Sequence, residues 1–557
     1  MVTYGSWEVR VAVTSPAAGT TLSGVATINV TASDPASGVQ SVQLLVDGLP
    51  VGTLSTVTPA AFSFNTVALP NGTHALSALA VNGSHVVGVA PPVTVTFSNA
   101  SPGNPAATGL WSGLVTLPLI SVHMSQLPKG NILMHDGQSF GYNAWVWDTA
   151  TNWFTNVPAP ANIFCSGHTQ MADGRIFVAG GHNGKAHNGL TIANIFDPAT
   201  KAWQVLPDMA YPRWYPTAIT LPDGRELVLS GETTCNDCVV AIPEAYDPKA
   251  NTWTQLTSAP FIFSYYPHPY VLSDGRVIVT STDETPTDSQ VLDLTAQTWT
   301  AVGGPAVEGG GSVMYAPDKF LKTGTSTDPD AVVRPSSSIA SVLDMTQSTP
   351  TWQSVAPMNF SRTYHTLTVL PDGNVLVTGG GPTTAVADTA NATMTPEMWS
   401  PTTQTWTSLT AMNAPRLYHS EAMLMPDARV LVLGSGRAQD GTFPTDQFSA
   451  EFFLPPYLFK GPRPVIASAP SSIRFGQPFT VQTPDAASIG SVVLMRFASV
   501  THTFNMGQRY VPLAFTAGST SLTVTGPANA NLATPGNYML FLLNKAGVPS
   551  VAVEVRL

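Results

Sequence analysis

The chain contains three cysteines, and their spacing separates two kinds of chemistry. Cys235 and Cys238, in TTCNDCVV, can form a short-loop disulfide or half of a zinc site. No second CxxC or suitable Cys/His pair completes a zinc site, so the disulfide is the expectation. Cys165, in NIFCSGHTQMADGRIFVAGG, has no cysteine partner. A lone cysteine is most often a buried apolar filler, so its chemistry depends on what the fold brings beside it. No nucleophile–His–Asp arrangement, phosphate loop or paired-carboxylate motif stands out.

The elements that must position Cys165 repeat along the chain. A turn signal recurs as LPKG (127–130), MADG (171–174), LPDG (221–224), LSDG (272–275), APDK (316–319), LPDG (370–373) and MPDA (425–428). An apolar strand follows each, often ending in a glycine pair, as in RIFVAGG and NVLVTGGG. Then come a polar turn and a tryptophan, as in DPATKAW, DPKANTW and SPTTQTW. The period of about 44–55 residues matches a four-stranded kelch blade, and seven turns predict a seven-bladed β-propeller. The last unit lacks the tryptophan, so LWSGLVTLPLI (110–120) is expected to return and complete it. One strand-start position in each repeat holds Ser121, Cys165, Tyr215, Tyr266, Gly310, Tyr364 and, in the last, Tyr418 or His419. These positions converge on the axis of a propeller. Phenolate and imidazole there suit copper(II), which favours N/O ligand sets.

Composition limits the partners. The chain has 34 acidic against 23 basic residues, only 10% charged residues, 48 prolines and 45 glycines. That balance, without basic runs, argues against a nucleic-acid surface. No apolar run approaches the roughly 20 residues of a membrane-spanning helix. MVTYGSWEVR is not a signal peptide, yet low charge and a CxxC disulfide favour a secreted, extracellular protein. Residues 1–98 read as an immunoglobulin-like β-sandwich, a spacer or a module for polysaccharide or a cell surface. Residues 99–109 read as a linker, 110–458 as the propeller and 459–557 as a second β-sandwich. The molecule is expected to be a monomer.

The sequence resembles the galactose oxidase and glyoxal oxidase family of copper radical oxidases over the propeller and the C-terminal sandwich. The resemblance rests on FCSGHTQMADGRIFVAGG, PRWYPTAITLPDGRELVLSG, PRLYHSEAMLMPDARVLVLGSG, THTFNMGQRYVPLAF and the ending PGNYMLFLLNKAGVPSVAVEVRL. It implies one copper ion, with Tyr215, His419 and His502 as equatorial ligands and Tyr418 as the axial ligand and general base. It also implies a thioether joining Cys165 to the Tyr215 ring, which makes the tyrosyl radical easier to form and keep. The implied reaction oxidises a primary alcohol or an aldehyde hydrate with O2 and releases H2O2.

Two departures bear on specificity. Where galactose oxidase carries a tryptophan over the cross-linked tyrosine, this chain has Thr233, leaving Trp214 or Phe164 to shield the ring. FIFSYYPHPYVLSDGRV offers no counterpart of the galactose-binding arginine. His182 and His187, in GGHNGKAHNG, are expected to face solvent or the rim of the pocket. His365, in RTYHTLTVL, is expected to be a packed channel residue. The alternative is a non-catalytic propeller that binds carbohydrate or cell wall.

Overall fold

A computed structural model of the chain describes residues 9–100, 103–137, 141–184, 188–235, 237–283, 285–303, 309–327, 332–436 and 446–557. It is an all-β protein; among the described residues the α-helix is limited to one turn, Pro105–Thr108, inside the expected linker.

The N-terminal segment folds because its strands alternate. Val25–Ser33 and Ala60–Asn65 bury every second side chain, the period-two pattern of a sheet with one wet face. Their sheet includes Arg10–Ser15 and faces a six-stranded sheet built on Val39–Val46 and Gly72–Asn82. Ile28, Val30, Leu44, Phe62, Leu76 and Val95 fill the space between.

Seven antiparallel sheets follow, one for each turn signal. The signal works through its backbone. Asp173, Asp223, Asp274, Asp372 and Asp427 each accept a hydrogen bond from the backbone N–H two residues on, at 3.0–3.1 Å. The residue between takes a left-handed conformation, as at Gly224 (φ +85°), which glycine adopts without a Cβ clash. Tryptophan then ties each sheet to the one before it. Indole N–H groups donate from Trp203 to Val157 O, Trp253 to Pro207 O, Trp299 to Ala259 O, Trp352 to Ser289 Oγ and Trp406 to Ala356 O. The tryptophan missing from the last repeat is supplied from upstream. Leu110–Trp111 pairs with Ser449–Leu454, and the Trp111 indole donates to Thr410 O.

The C-terminal segment forms two further sheets around Val481, Leu494, Leu522 and Leu540. It sits against the far ends of the inner strands. Asn537 N donates to Gln170 Oε1, the Arg496 guanidinium to Gln170 O and Thr220 Oγ1, and Arg509 to Val271 O. From there a hairpin, Ser499–Thr501 with Phe504–Asn505, pairs with the inner strand His123–Gln126 of the first repeat sheet. His502 lies at its tip. Inner strands such as Gly167–Gln170 and Thr217–Thr220 are four residues long. At about 3.3 Å per residue, the hairpin carries His502 roughly 13 Å along them to their other ends.

Candidate metal centre

The strand-start register gains a physical meaning from the backbone. Cys165, Tyr215, Tyr266, Tyr364 and His419 all have φ between +44° and +66°. Non-glycine residues are uncommon there and cluster at functional sites. In the last repeat the left-handed position is held by His419 and not Tyr418, which chooses between the two alternatives the sequence left open. These kinks are joined in series: Tyr215 N–H donates to Cys165 O at 2.8 Å, and Tyr266 N–H donates to Tyr215 O at 3.0 Å. Cys165 and Tyr215 are therefore on adjacent sheets, backbone to backbone. Buried arginines brace the same segments, Arg213 on Glu244, Arg362 on Glu397 and Arg416 on Glu451. Each stands two residues before a tyrosine.

Four oxygen and nitrogen donors and one sulfur meet at the end of the hairpin. Tyr215 Oη and Tyr418 Oη are 2.7 Å apart. His502 Nε2 is 3.6 Å from Cys165 Sγ, and Cys165, His419 and His502 offer ligand atoms within 4.8 Å of one another. The His419 and His502 rings stand 4.5 Å apart at 82°, and Tyr418 stacks on His419 at 3.9 Å. All five side chains are buried.

Hydrogen bonds choose the nitrogen that each imidazole presents. Thr501 Oγ1 donates to Val122 O and so accepts from His502 Nδ1–H at 2.7 Å, leaving the Nε2 lone pair toward the group. His419 Nδ1–H donates to Gly436 O at 2.6 Å, which likewise leaves a lone pair on Nε2. Burial, reinforced by His419, holds the His502 imidazole well below its ordinary pKa and hence neutral. Two phenol oxygens and two neutral imidazole nitrogens, oriented by outer partners, fit a copper ion.

A cleft of about 400 Å³ opens onto this group. Its wall includes Tyr364 of the strand-start register, and also Asp283, Thr327 and Thr503, none of which the sequence singled out. Asp283 Oδ1 meets His268 Nε2 at 2.9 Å and accepts from Thr503 Oγ1 at 2.9 Å, while Oδ2 is buried without a partner. Burial holds this carboxyl well above the ordinary aspartate range, against the Thr503 hydrogen bond.

The aromatic surround departs from expectation in one place. His182 is buried, not solvent-facing; its ring is wedged between Phe164 at 5.9 Å and Trp214 at 4.9 Å. Trp214 meets the Tyr215 ring edge-on, at 4.5 Å and 78°. Phe164 meets His419 edge-on at 5.9 Å. Thr233 makes backbone hydrogen bonds to Cys238 and Gly189, beside a Cys235–Cys238 disulfide with a Cα–Cα distance of 5.4 Å. His365 is buried and bonds Thr323 Oγ1 at 2.8 Å, outside the donor group. His187 lies outside the described residues.

Comparison with known proteins agrees with this geometry. Residues 463–557 match the family described as galactose oxidase-like, early set domain, and residues 322–457 match glyoxal oxidase N-terminus. Over these segments the chain is similar to the galactose oxidase and glyoxal oxidase family. It is 28% identical to a galactose oxidase of Gibberella zeae over 495 residues, covering 80% of this chain and 70% of the relative. It is 26% identical to the aldehyde oxidase GLOX of Vitis pseudoreticulata, covering 78% and 89%. A fungal alcohol oxidase of the AA5 family, solved in complex with copper, superposes with a TM-score of 0.72 at 26% identity, over 81% of this chain and 99% of that one. Outside the oxidase part, residues 10–78 match a bacterial Ig domain; within it, residues 171–210 match a kelch motif.

Proposed function

We propose that this protein is a copper radical oxidase that converts a primary alcohol or an aldehyde hydrate to the next oxidation level, reducing O2 to H2O2. The observation that carries the reading is the convergence of Tyr215, Tyr418, His419 and His502 beside Cys165 in one buried cleft. A bound copper ion would supply one oxidising equivalent, by cycling between its +2 and +1 states. Tyr215, Tyr418, His419 and His502 would hold it. The Tyr215 ring, linked through its ortho carbon to Cys165 sulfur, supplies the second equivalent as a radical. Tyr418 Oη takes the hydroxyl proton as general base. The Tyr215 radical takes the carbinol hydrogen atom. O2 then accepts two electrons and two protons, which balances the reaction. Trp214, edge-on to Tyr215, with Phe164 and His182 behind it, keeps water from the radical in the place where Thr233 leaves a gap.

The seven sheets are read as a closed seven-bladed propeller spanning 110–458, with sandwiches at 1–98 and 459–557 and a linker at 99–109. Sheet-to-sheet indole bonds and the return of Leu110–Trp111 to the last sheet support that reading. The first sandwich is read as a spacer or surface-binding module on a secreted monomer.

Mass mapping of the copper-treated, aerobically incubated protein tests the mechanism. A Cys165 peptide joined to a Tyr215 peptide, short of two hydrogens, supports it, as does copper-dependent peroxide release from small alcohols or aldehydes. A Cys165 thiol that stays free in copper-loaded protein would sink the radical mechanism and leave a binding propeller.

A further inference from the structure

Next to the cleft lies a second group of buried histidines that the proposed reaction does not use. His123 and His135 oppose each other directly on the first two strands of the first repeat sheet, and His168 lies on the inner strand of the next. Each side chain is almost wholly buried, at 0%, 2% and 0% exposure. The His123 and His135 rings stack at 4.1 Å and 10°, with the His168 ring 5.3 and 5.7 Å from them. The three rings offer nitrogens within 4.8 Å of one another, and no carboxylate joins this group among the described residues.

Hydrogen bonds divide the three rings into two roles. Cys165 N–H donates to His123 Nε2 at 2.9 Å, which occupies that lone pair and places the His123 proton on Nδ1. His168 Nδ1 meets Ser125 Oγ at 3.0 Å, so with Nδ1–H as donor its Nε2 lone pair faces the group. Among the described residues, His168 Nε2 and His135 Nδ1 are both buried without a partner, as is His123 Nδ1. An unsatisfied buried polar atom is costly, so the unpaired nitrogens of His135 and His168 in one spot call for an occupant. Burial keeps all three imidazoles neutral, with His168 pushed down to about 3, so protonation does not compete for the lone pairs.

We propose that His135 and His168 form a second metal site, for a cuprous ion, with His123 as its wall. Two neutral imidazoles without an anionic ligand suit a soft ion of low charge that accepts few ligands. Zinc favours four ligands, and calcium six or more oxygens. Two metal–nitrogen bonds of about 2 Å each span about 4 Å when opposed, which the 4.8 Å spread accommodates. Through the His123–Cys165 hydrogen bond the site touches the segment that carries the sulfur of the first centre.

Metal counting tests this. The full chain, stripped with a chelator and reconstituted anaerobically with Cu(I) as its acetonitrile complex, is expected to hold two coppers. The His135→Phe/His168→Leu chain is expected to hold one, and the His419→Ala/His502→Ala chain also one. One copper in the unsubstituted chain, falling to none in the latter, overturns the second site. So does a second copper that survives the His135→Phe/His168→Leu change. If the unsubstituted chain holds one copper and the His419→Ala/His502→Ala chain keeps it, the second site is supported and the reading of the first is sunk. Should the His135→Phe/His168→Leu chain fail to fold, crystals of the unsubstituted, Cu(I)-loaded protein at the copper absorption edge decide. An anomalous peak between the His135 and His168 rings is expected, and its absence overturns the proposal.

Discussion

At the scale of single residues, Tyr418 and Asp283 divide the work in the cleft. Tyr418 Oη lies 2.7 Å from Tyr215 Oη, beside the group proposed to remove hydrogen. Replacing Tyr418 with Phe removes the proton acceptor and leaves the ring packing. Steady-state assays should show kcat lowered about 10²–10⁴-fold, with the Cys165–Tyr215 link still present in the mass map. Asp283 lines the same cleft, its buried Oδ2 without a partner among the described residues and its carboxyl raised by burial, and is predicted to hydrogen-bond a substrate oxygen. Asp283→Ala should raise KM roughly tenfold, the loss of about one hydrogen bond, and leave kcat within about threefold. Asp283→Asn keeps a donor there and should restore most of the binding. A fall in kcat equal to the rise in KM would assign Asp283 to the chemistry instead.

Elements explain which of these residues the sequence could announce. The turn Asp, the left-handed glycine and the tryptophan repeat because each solves the same local problem in every sheet. Gly224 is a clean test, since an added Cβ would meet only Ala172 Cβ at 3.9 Å and its φ of +85° is the sole obstacle. Gly224→Ala should cost about 1 kcal/mol, read as a lower guanidinium midpoint with an unchanged m-value. The same repetition made Cys165 and Tyr215 legible, because register alone puts them at equivalent kinks, and it narrowed the last kink to Tyr418 or His419. His502 was legible only through family resemblance, since its hairpin belongs to no repeat. Asp283 and Thr503 were not legible: one follows a strand end and the other lies on the hairpin, so neither shares the strand-start register. His182 was read as facing solvent or the pocket rim because its GGHNGKAHNG loop is polar; in the fold the neighbouring Phe164 and Trp214 cover its ring.

For the whole molecule, the decisive contact is between the C-terminal sheets and the inner strands. Glu226 is buried near Arg496 at this junction, and burial pushes its carboxyl up to about 8 from 4.5, the nearby guanidinium opposing. Between those values the folded chain binds a proton that the unfolded chain has released. Stability therefore falls as pH rises from about 4.5 to about 8. Glu226→Gln should flatten that part of a denaturation-versus-pH series; an unchanged slope would show that the carboxyl is ionised in the fold. The junction also orders events in time. The residue at the hairpin tip leaves the ribosome 337 residues after Cys165, which at about 5–20 residues per second is a delay of roughly 15–70 s. During synthesis the nascent chain thus displays its thiol and phenols without the imidazole that would complete a redox-active pocket. On the proposed reading, oxidising power is withheld until the C-terminal hairpin has been made, so a product truncated before His502 should hold no competent centre.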